Sequence, residues 1–171
     1  MPKRTNFIIV SNHASWLDSL FFVAFLPKKI YGIAARYLYR FAFLRWFLKA
    51  IDAIPTRNSS EIAVSLLKKN KIIGLFPEGG CTRDGKLRKF RKGAAFLALK
   101  TGIPLVPCAI LGTYQAYPVG TKLPKLFMPV TIKFGKPICL LKEFDHIIDD
   151  VSLQDGTAKI KNSIMEIINA G

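Results

Sequence analysis

The chain is poor in acid, histidine and cysteine, and it has no long apolar run. Its 11 Asp and Glu stand against 26 Lys and Arg, a net charge of +15. Such an imbalance selects anionic partners: nucleic acid, anionic lipid or a phosphorylated substrate. Three cysteines, Cys81, Cys108 and Cys139, are odd in number and far apart, which disfavours a disulfide framework or a thiolate metal site and fits a reducing cytosol. The longest uncharged apolar run near the start covers nine residues, 19–27, against roughly 20 for a membrane span. Residues 1–6 lead straight into a strand-like run and carry no cleavage pattern, so a signal peptide is not expected. The common nucleic-acid-binding motifs are absent.

What is present belongs to a globular protein. The 171 residues suit one domain, 1–171, and a composition half hydrophobic and 12% aromatic excludes disorder. Phe (13) outnumbers Tyr (5), the mean hydropathy is +0.25, and apolar residues interleave with the cations. That pattern fits a membrane surface better than a nucleic-acid groove, so no nucleic-acid partner is expected.

Two stretches carry the chemistry. The first is Asn12-His13-Ala14-Ser15-Trp16-Leu17-Asp18, which holds one of only two histidines. A histidine oriented by a carboxylate takes a proton from a hydroxyl near neutral pH. On one regular helix, positions 13 and 18 point about 140° apart. The two therefore meet only if His13 lies in a loop ahead of a helix, with Ser15 as its N-cap. A second reading stays open: Ser15-x-x-Asp18 is also a capping-box pattern, in which Asp18 ties off the first turn. The other stretch is Phe76-Pro77-Glu78-Gly79-Gly80-Cys81-Thr82-Arg83-Asp84-Gly85, at the end of an apolar strand. Asn12 either holds the His13 loop or caps a turn. His146 stands outside any motif and reads as an exposed bystander.

The remaining pattern alternates strands and helices. Residues 7–10 read as a buried strand, followed by the His13 loop and a helix to about 25 that Pro27 closes. A second strand is expected over 29–34. Residues 36–50 (RYLYRFAFLRWFLKA) predict one helix, apolar on every face and studded with Arg36, Arg40, Arg45 and Lys49. Such a helix faces lipid or an acyl chain, or it packs under other helices. Residues 51–57 form a connection or an edge strand, because Pro55 cannot donate to a central ladder. Asn58, with Glu61 three residues on, starts a helix to about 70. A strand over 71–76 delivers Glu78 to the same sheet edge as His13. The run 86–92 holds five cations in seven residues and reads as a solvated face or as part of a phosphate site. A small-residue helix (93–100), a strand (103–111), a long loop (112–129), a last strand (130–134) and a helix (158–169) with Ile160, Ile164, Ile167 and Ile168 on one stripe complete the chain. No internal repeat or linker is evident. The alternation predicts an α/β fold with a mixed, mostly parallel central sheet flanked by helices and chemistry at strand ends.

The two stretches together resemble the signature of the glycerolipid acyltransferases, the 1-acyl-glycerol-3-phosphate acyltransferase family. Asn12, His13 and Asp18 match its Asn-His-x4-Asp motif. Phe76, Pro77, Glu78, Gly79 and Arg83 match its Phe-Pro-Glu-Gly motif. Ala53-Ile54-Pro55-Thr56-Arg57 and Val106-Pro107 resemble its two others, and all four run in order across about residues 6–135. The resemblance implies His13 as general base and Asp18 as its orienting acid. It implies acceptor binding by Glu78. Arg57 and Arg83 are expected as phosphate ligands because a guanidinium grips phosphate with two bonds, the backbone amides at Gly79 and Gly80 as donors to an oxyanion or phosphate, and Asn12 as a further residue on the substrate-binding side. A charge partner for an arginine is the alternative role for Glu78. The expected partners are a lysophospholipid acceptor, an acyl-CoA or acyl-carrier-protein thioester donor and an anionic membrane surface. No cofactor and no metal are expected. The expected location is the cytoplasmic face of the cell membrane, held peripherally; this chain has only eleven residues before Asn12, so attachment is expected from elsewhere than a hydrophobic N-terminal segment. The acceptor is expected to be 1-acyl-glycerol-3-phosphate, with another lysophospholipid or glycerol-3-phosphate as the alternative. A non-catalytic basic membrane or nucleic-acid module accounts for the charge but not for the four site residues together. Cys81 stands where the family motif has an arginine, with Gly80 beside it. A nucleophilic role for Cys81 is a minor further reading.

Overall fold

Six strands order themselves β3-β2-β4-β1-β5-β6 in a computed structural model that describes residues 6–24, 29–56, 58–125, 127–140 and 148–170. The strands are β1 (Ile8–Ser11), β2 (Ile30–Ala34), β3 (Ile54–Pro55), β4 (Ile72–Leu75), β5 (Leu105–Leu111) and β6 (Thr131–Phe134). The helices are α1 (Leu17–Ala24), α2 (Ala42–Ala50), α3 (Ser59–Lys68), α4 (Gly93–Thr101), the single turn α5 (Thr113–Ala116) and α6 (Asp150–Asn169). Five strands run parallel and only β6 pairs antiparallel, on β5. The expected mixed, mostly parallel α/β sheet is what forms.

The strand residues alternate in destination, because successive side chains leave a strand on opposite faces. Ile8 and Val10 join Ile73, Leu75 and Leu105 under α3, α4 and α6. Phe7 and Ile9 join Ile72, Val106, Cys108 and Ile110 under Phe22 of α1. Both layers are buried, which is why these strands read as continuous apolar runs instead of alternating ones. Each fully buried Ile or Leu contributes about 1.5–3 kcal/mol relative to exposure.

This layering positions the site. Neighbouring strands β1 and β4 are in register at Val10↔Leu75. The helix that follows β1 packs on one face and the helix that follows β4 packs on the other. Their loops therefore come together at the C-terminal edge of the sheet, where an open α/β sheet with helices leaving to opposite faces places its ligand. His13 lies three residues past Val10, and Glu78 three past Leu75.

Several expected elements need correction. Residues 36–50 are not one helix. Arg36–Arg40 is a 3-10 turn, and extended Phe41 (φ −87°, ψ 121°) separates it from α2. Aromatic residues at 37, 39 and 41 are mediocre helix formers, and the Tyr39 hydroxyl donates to the Ala53 carbonyl at 2.6 Å, which fixes the turn from outside. Asn58 does not cap α3 with its side chain; it adopts a left-handed conformation (φ 58°), which a short amide residue tolerates. The last helix starts at 150, eight residues before the expected 158, because Asp149 and Ser152 form a reciprocal capping box. Its Gly156 lies against Leu140 and Ala95. The 112–129 stretch contains the α5 turn. Pro55 sits in edge strand β3, as its missing N–H requires. The expected closure of α1 around Pro27, Arg57 and His146 lie outside the described residues.

Candidate active site

Asn12 extends β1 by one residue and uses its side chain as an extra rung. Its Nδ2 donates to the Ile110 carbonyl at 2.9 Å, and its Oδ1 accepts from the Ile110 N–H at 2.8 Å. The amide is buried and committed to β5, so its place in the structure is to hold the loop.

The next turn gathers three donors on one oxygen. Asp18 Oδ2 accepts from His13 Nδ1 at 3.0 Å, from Ala14 N at 2.6 Å and from Ser15 N at 2.8 Å. The two readings of the spacing therefore coexist: Asp18 closes the first turn of α1 and orients the imidazole with the same atom. The Asp18 side chain is 0% exposed and that of His13 12% exposed, so the imidazole reaches solvent while the carboxylate does not. Ser15 Oγ accepts from Leu17 N and donates to the Tyr117 carbonyl, which ties the start of α1 to the segment after α5.

A carboxylate acceptor at Nδ1 requires the proton there and leaves a lone pair on Nε2. Phe76 stacks on the ring at 4.1 Å between centroids and 14° between planes. Cys81 Sγ lies 3.3 Å from Nε2 and 3.6 Å from Nδ1. An in-plane sulfur so nearly equidistant from both nitrogens would collide with the carbon between them. The sulfur therefore lies over the ring face, and the in-plane Nε2 lone pair stays open. Burial first, then the Asp18 and Glu78 charges, push the Cys81 thiol up to about 12. It is a neutral thiol near pH 7, off the axis of the base, and lacks the thiolate character of a nucleophile.

The second loop is fastened to the first. Glu78 Oε1 accepts from the His13 N–H at 2.7 Å, and Oε2 accepts from the Arg88 N–H at 2.8 Å. The Thr82 N–H donates to the His13 carbonyl at 2.9 Å. Glu78 is 4% exposed and bridges backbone to backbone. Burial raises its pKa, partly offset by these two N–H bonds. Gly79 has φ 72° and its N–H is spent on the Phe76 carbonyl at 3.0 Å. The Gly80 N–H has no protein acceptor among the described residues. Arg83 is exposed on a turn pinned by Thr82 and Asp84, and its carbonyl accepts from the Tyr114 hydroxyl. The structure thus brings together His13, Asp18, Asn12, Glu78, Gly79 and Gly80, and leaves Arg83 on the rim.

A histidine–aspartate pair on a parallel-sheet edge, beside a Phe-Pro-Glu-Gly turn, belongs to more than one chemistry. The family model for acyltransferases matches residues 1–111. This chain belongs to the acyltransferase family. A 1-acyl-sn-glycerol-3-phosphate acyltransferase of Bacillus subtilis is 30% identical over 99% of the chain and 84% of its own length. One of Limnanthes douglasii is 32% identical over 77% of the chain and 50% of its own length. The solved structure of the 1-acyl-sn-glycerophosphate acyltransferase PlsC from Thermotoga maritima superposes with a TM-score of 0.73 at 26% identity, over 98% of the chain and 68% of that protein. The chain spans between 34% and 50% of the length of the plant relatives heading the matches.

Within this acyltransferase fold, sequence reasoning did not find the roles of Phe76, Cys81, Arg88 and Tyr117 around the imidazole. The signals were weak ones: a cysteine in an arginine's place, and an arginine inside a run that reads as a solvated face.

Proposed function

We propose that the chain transfers an acyl group from a thioester donor, acyl-CoA or acyl-carrier protein, to the free hydroxyl of 1-acyl-glycerol-3-phosphate, yielding phosphatidic acid for phospholipid synthesis. The observation that carries this reading is the His13–Asp18 pair, its imidazole 12% exposed and its loop bonded to Glu78 of the Glu78–Gly79–Gly80 turn. Nε2 takes the hydroxyl proton as the oxygen attacks the thioester carbonyl. Asp18 stabilises the imidazolium that forms. The tetrahedral intermediate collapses with loss of the C–S bond, and the imidazolium returns its proton to the departing thiolate. The free Gly80 N–H is the donor for the intermediate's oxyanion or for the acceptor phosphate.

The test is thiol release from acyl-CoA with and without the acceptor. Release that requires lysophosphatidate, and falls ~10²–10⁴-fold in His13→Ala, supports the base. Retention of more than about one part in a hundred removes it. Cys81, in the place of a motif arginine, favours a second reading in which another lysophospholipid or glycerol-3-phosphate is the acceptor. An acceptor panel with one donor decides between them.

The lipid acceptor implies a bilayer, and the chain carries a surface that suits one. The 3-10 turn and α2 follow β2, so they leave the sheet at the edge where His13 lies. Tyr37, Phe41 and Trp46 are 58%, 59% and 67% exposed there, among exposed Arg36, Arg40, Arg45 and Lys49. Aromatic residues between cations fit the interface of an anionic membrane, with attachment at its cytoplasmic face. No helix among the described residues is long and apolar enough to cross it.

A further inference from the structure

Two arginines of the basic run fold back over the glycine pair. A side chain at Gly79 would bring its Cβ within 2.5 Å of Arg91 Nε and 2.7 Å of Arg91 Cζ. At Gly80 it would stand 3.3 Å from Arg88 Nη1. Arg88 Nη1 donates to the Gly80 and Cys81 carbonyls at 3.1 and 3.3 Å. The Arg91 N–H donates to the Pro77 carbonyl at 2.8 Å, which sets where its side chain begins. Two guanidinium groups thus lie on the turn that faces His13.

Among the described residues, neither Arg88 nor Arg91 forms an ion pair with a carboxylate. Glu78, beneath the turn, spends its oxygens on the backbone N–H groups of His13 and Arg88. Exposed Lys86 and Lys89 add like charge along the same run. A cluster of like charges held close, with only the buried Glu78 carboxylate acting on Arg88 among the described residues, is a seat for an anion, and a planar guanidinium grips phosphate with two parallel N–H bonds. The arginine missing at position 81 leaves this end of the site without its expected cation. The glycines at 79 and 80 let two others come near enough to supply one.

We infer that the phosphate monoester of the acceptor is held by Arg88 and Arg91 over the Gly79–Gly80 turn, with the Gly80 N–H completing the seat and Arg83 at its rim. This rests on the acyl-transfer reading for the identity of the acceptor. Phosphate is also carried by the CoA donor, and the experiment separates the two sources. Steady-state kinetics are measured for Arg88→Ala, Arg91→Ala and Arg91→Lys, each checked by thermal melt. With lysophosphatidate the KM rises about 10- to 100-fold for each alanine variant, the usual loss for a hydrogen bond to a charged group. The lysine variant recovers part of it, since it restores the charge but not the fork. The KM for acyl-CoA stays within about twofold, and the rate with monoacylglycerol, which has no phosphate, falls less than that with lysophosphatidate. A KM for lysophosphatidate left unchanged overturns the proposal, and so does a rise confined to acyl-CoA. Calorimetric binding of glycerol-3-phosphate to the His13→Ala protein, with and without Arg88→Ala and Arg91→Ala together, reads the seat without turnover. Binding lost only with the arginines removed supports it even if the acyl-transfer reading fails. Equal binding in both proteins overturns it.

Discussion

Replacing Asp18 by Asn separates an oriented base from a mere helix cap, because one oxygen serves both. In Asp18→Asn the amide oxygen takes the place of Oδ2 and keeps the bonds from Ala14 N and Ser15 N. The amide nitrogen then falls where Oδ1 now lies, a buried atom with no hydrogen-bond partner. A buried donor left unsatisfied costs about 1–3 kcal/mol. At ~2–4 °C of Tm per kcal/mol for a chain of this size, the melt falls by about 2–12 °C. The three bonds to Oδ2 also lose their charge assistance, which weakens each. The chemical loss is separate: without a counter-charge the imidazolium forms less readily, and the rate falls ~10²–10⁴-fold. His13→Ala behaves differently, since Ala14 N and Ser15 N still hold Asp18. It loses the same activity with a melt close to wild type. The assays are calorimetric melting and acceptor-dependent thiol release. An Asp18→Asn protein that melts with wild type and keeps more than about a tenth of the rate would refute the shared-oxygen argument. So would a His13→Ala protein destabilised as much as Asp18→Asn.

Three other outcomes follow from the structure. Cys81, with its thiol raised to about 12, reacts with iodoacetamide at pH 7 far more slowly than exposed Cys139, and its rate climbs on into strongly alkaline buffer; peptide mapping that finds Cys81 labelled first contradicts this. Asp149, whose pKa the Ser152 bonds lower from 3.8, stabilises α6 above that pH, and the contribution is lost as pH falls through its lowered value. The melting gap between wild type and Asp149→Ala is therefore full near neutrality and closes in acid; a gap constant down to the lowest pH argues against the cap. Phe41→Ser weakens co-sedimentation with anionic vesicles while leaving the melt unchanged, and added salt weakens wild-type binding too. Undiminished sedimentation in Phe41→Ser takes the membrane face elsewhere.

The sheet was legible because β1, β4 and β5 are apolar runs bounded by turn residues, and a parallel strand buried on both faces looks like that. The His13 loop was legible from spacing alone, since a five-residue gap forbids one helix from presenting both groups. Residues 36–50 misled because helical periodicity cannot see Tyr39 reaching out to Ala53. The start of α6 was hidden by its polar first turns and by Gly156, a poor helix residue kept where Leu140 packs. Arg88 and Arg91 looked like solvated charge because no local pattern tells that a chain will double back. Only the paired glycines, read as room for something close, could have signalled it.

Beyond its local bonds to Asp18, the His13 loop borrows its fastenings from distant chain. Asn12 is tied to Ile110 across 98 positions, Ser15 to Tyr117 across 102, and His13 to Glu78 across 65. A ribosome-borne polypeptide that has emerged only through α4 lacks two of these three ties, so the His13 loop cannot yet be held in place. Contacts of such long separation slow folding, and they also mean that no proteolytic fragment ending before position 117 inherits the chemistry.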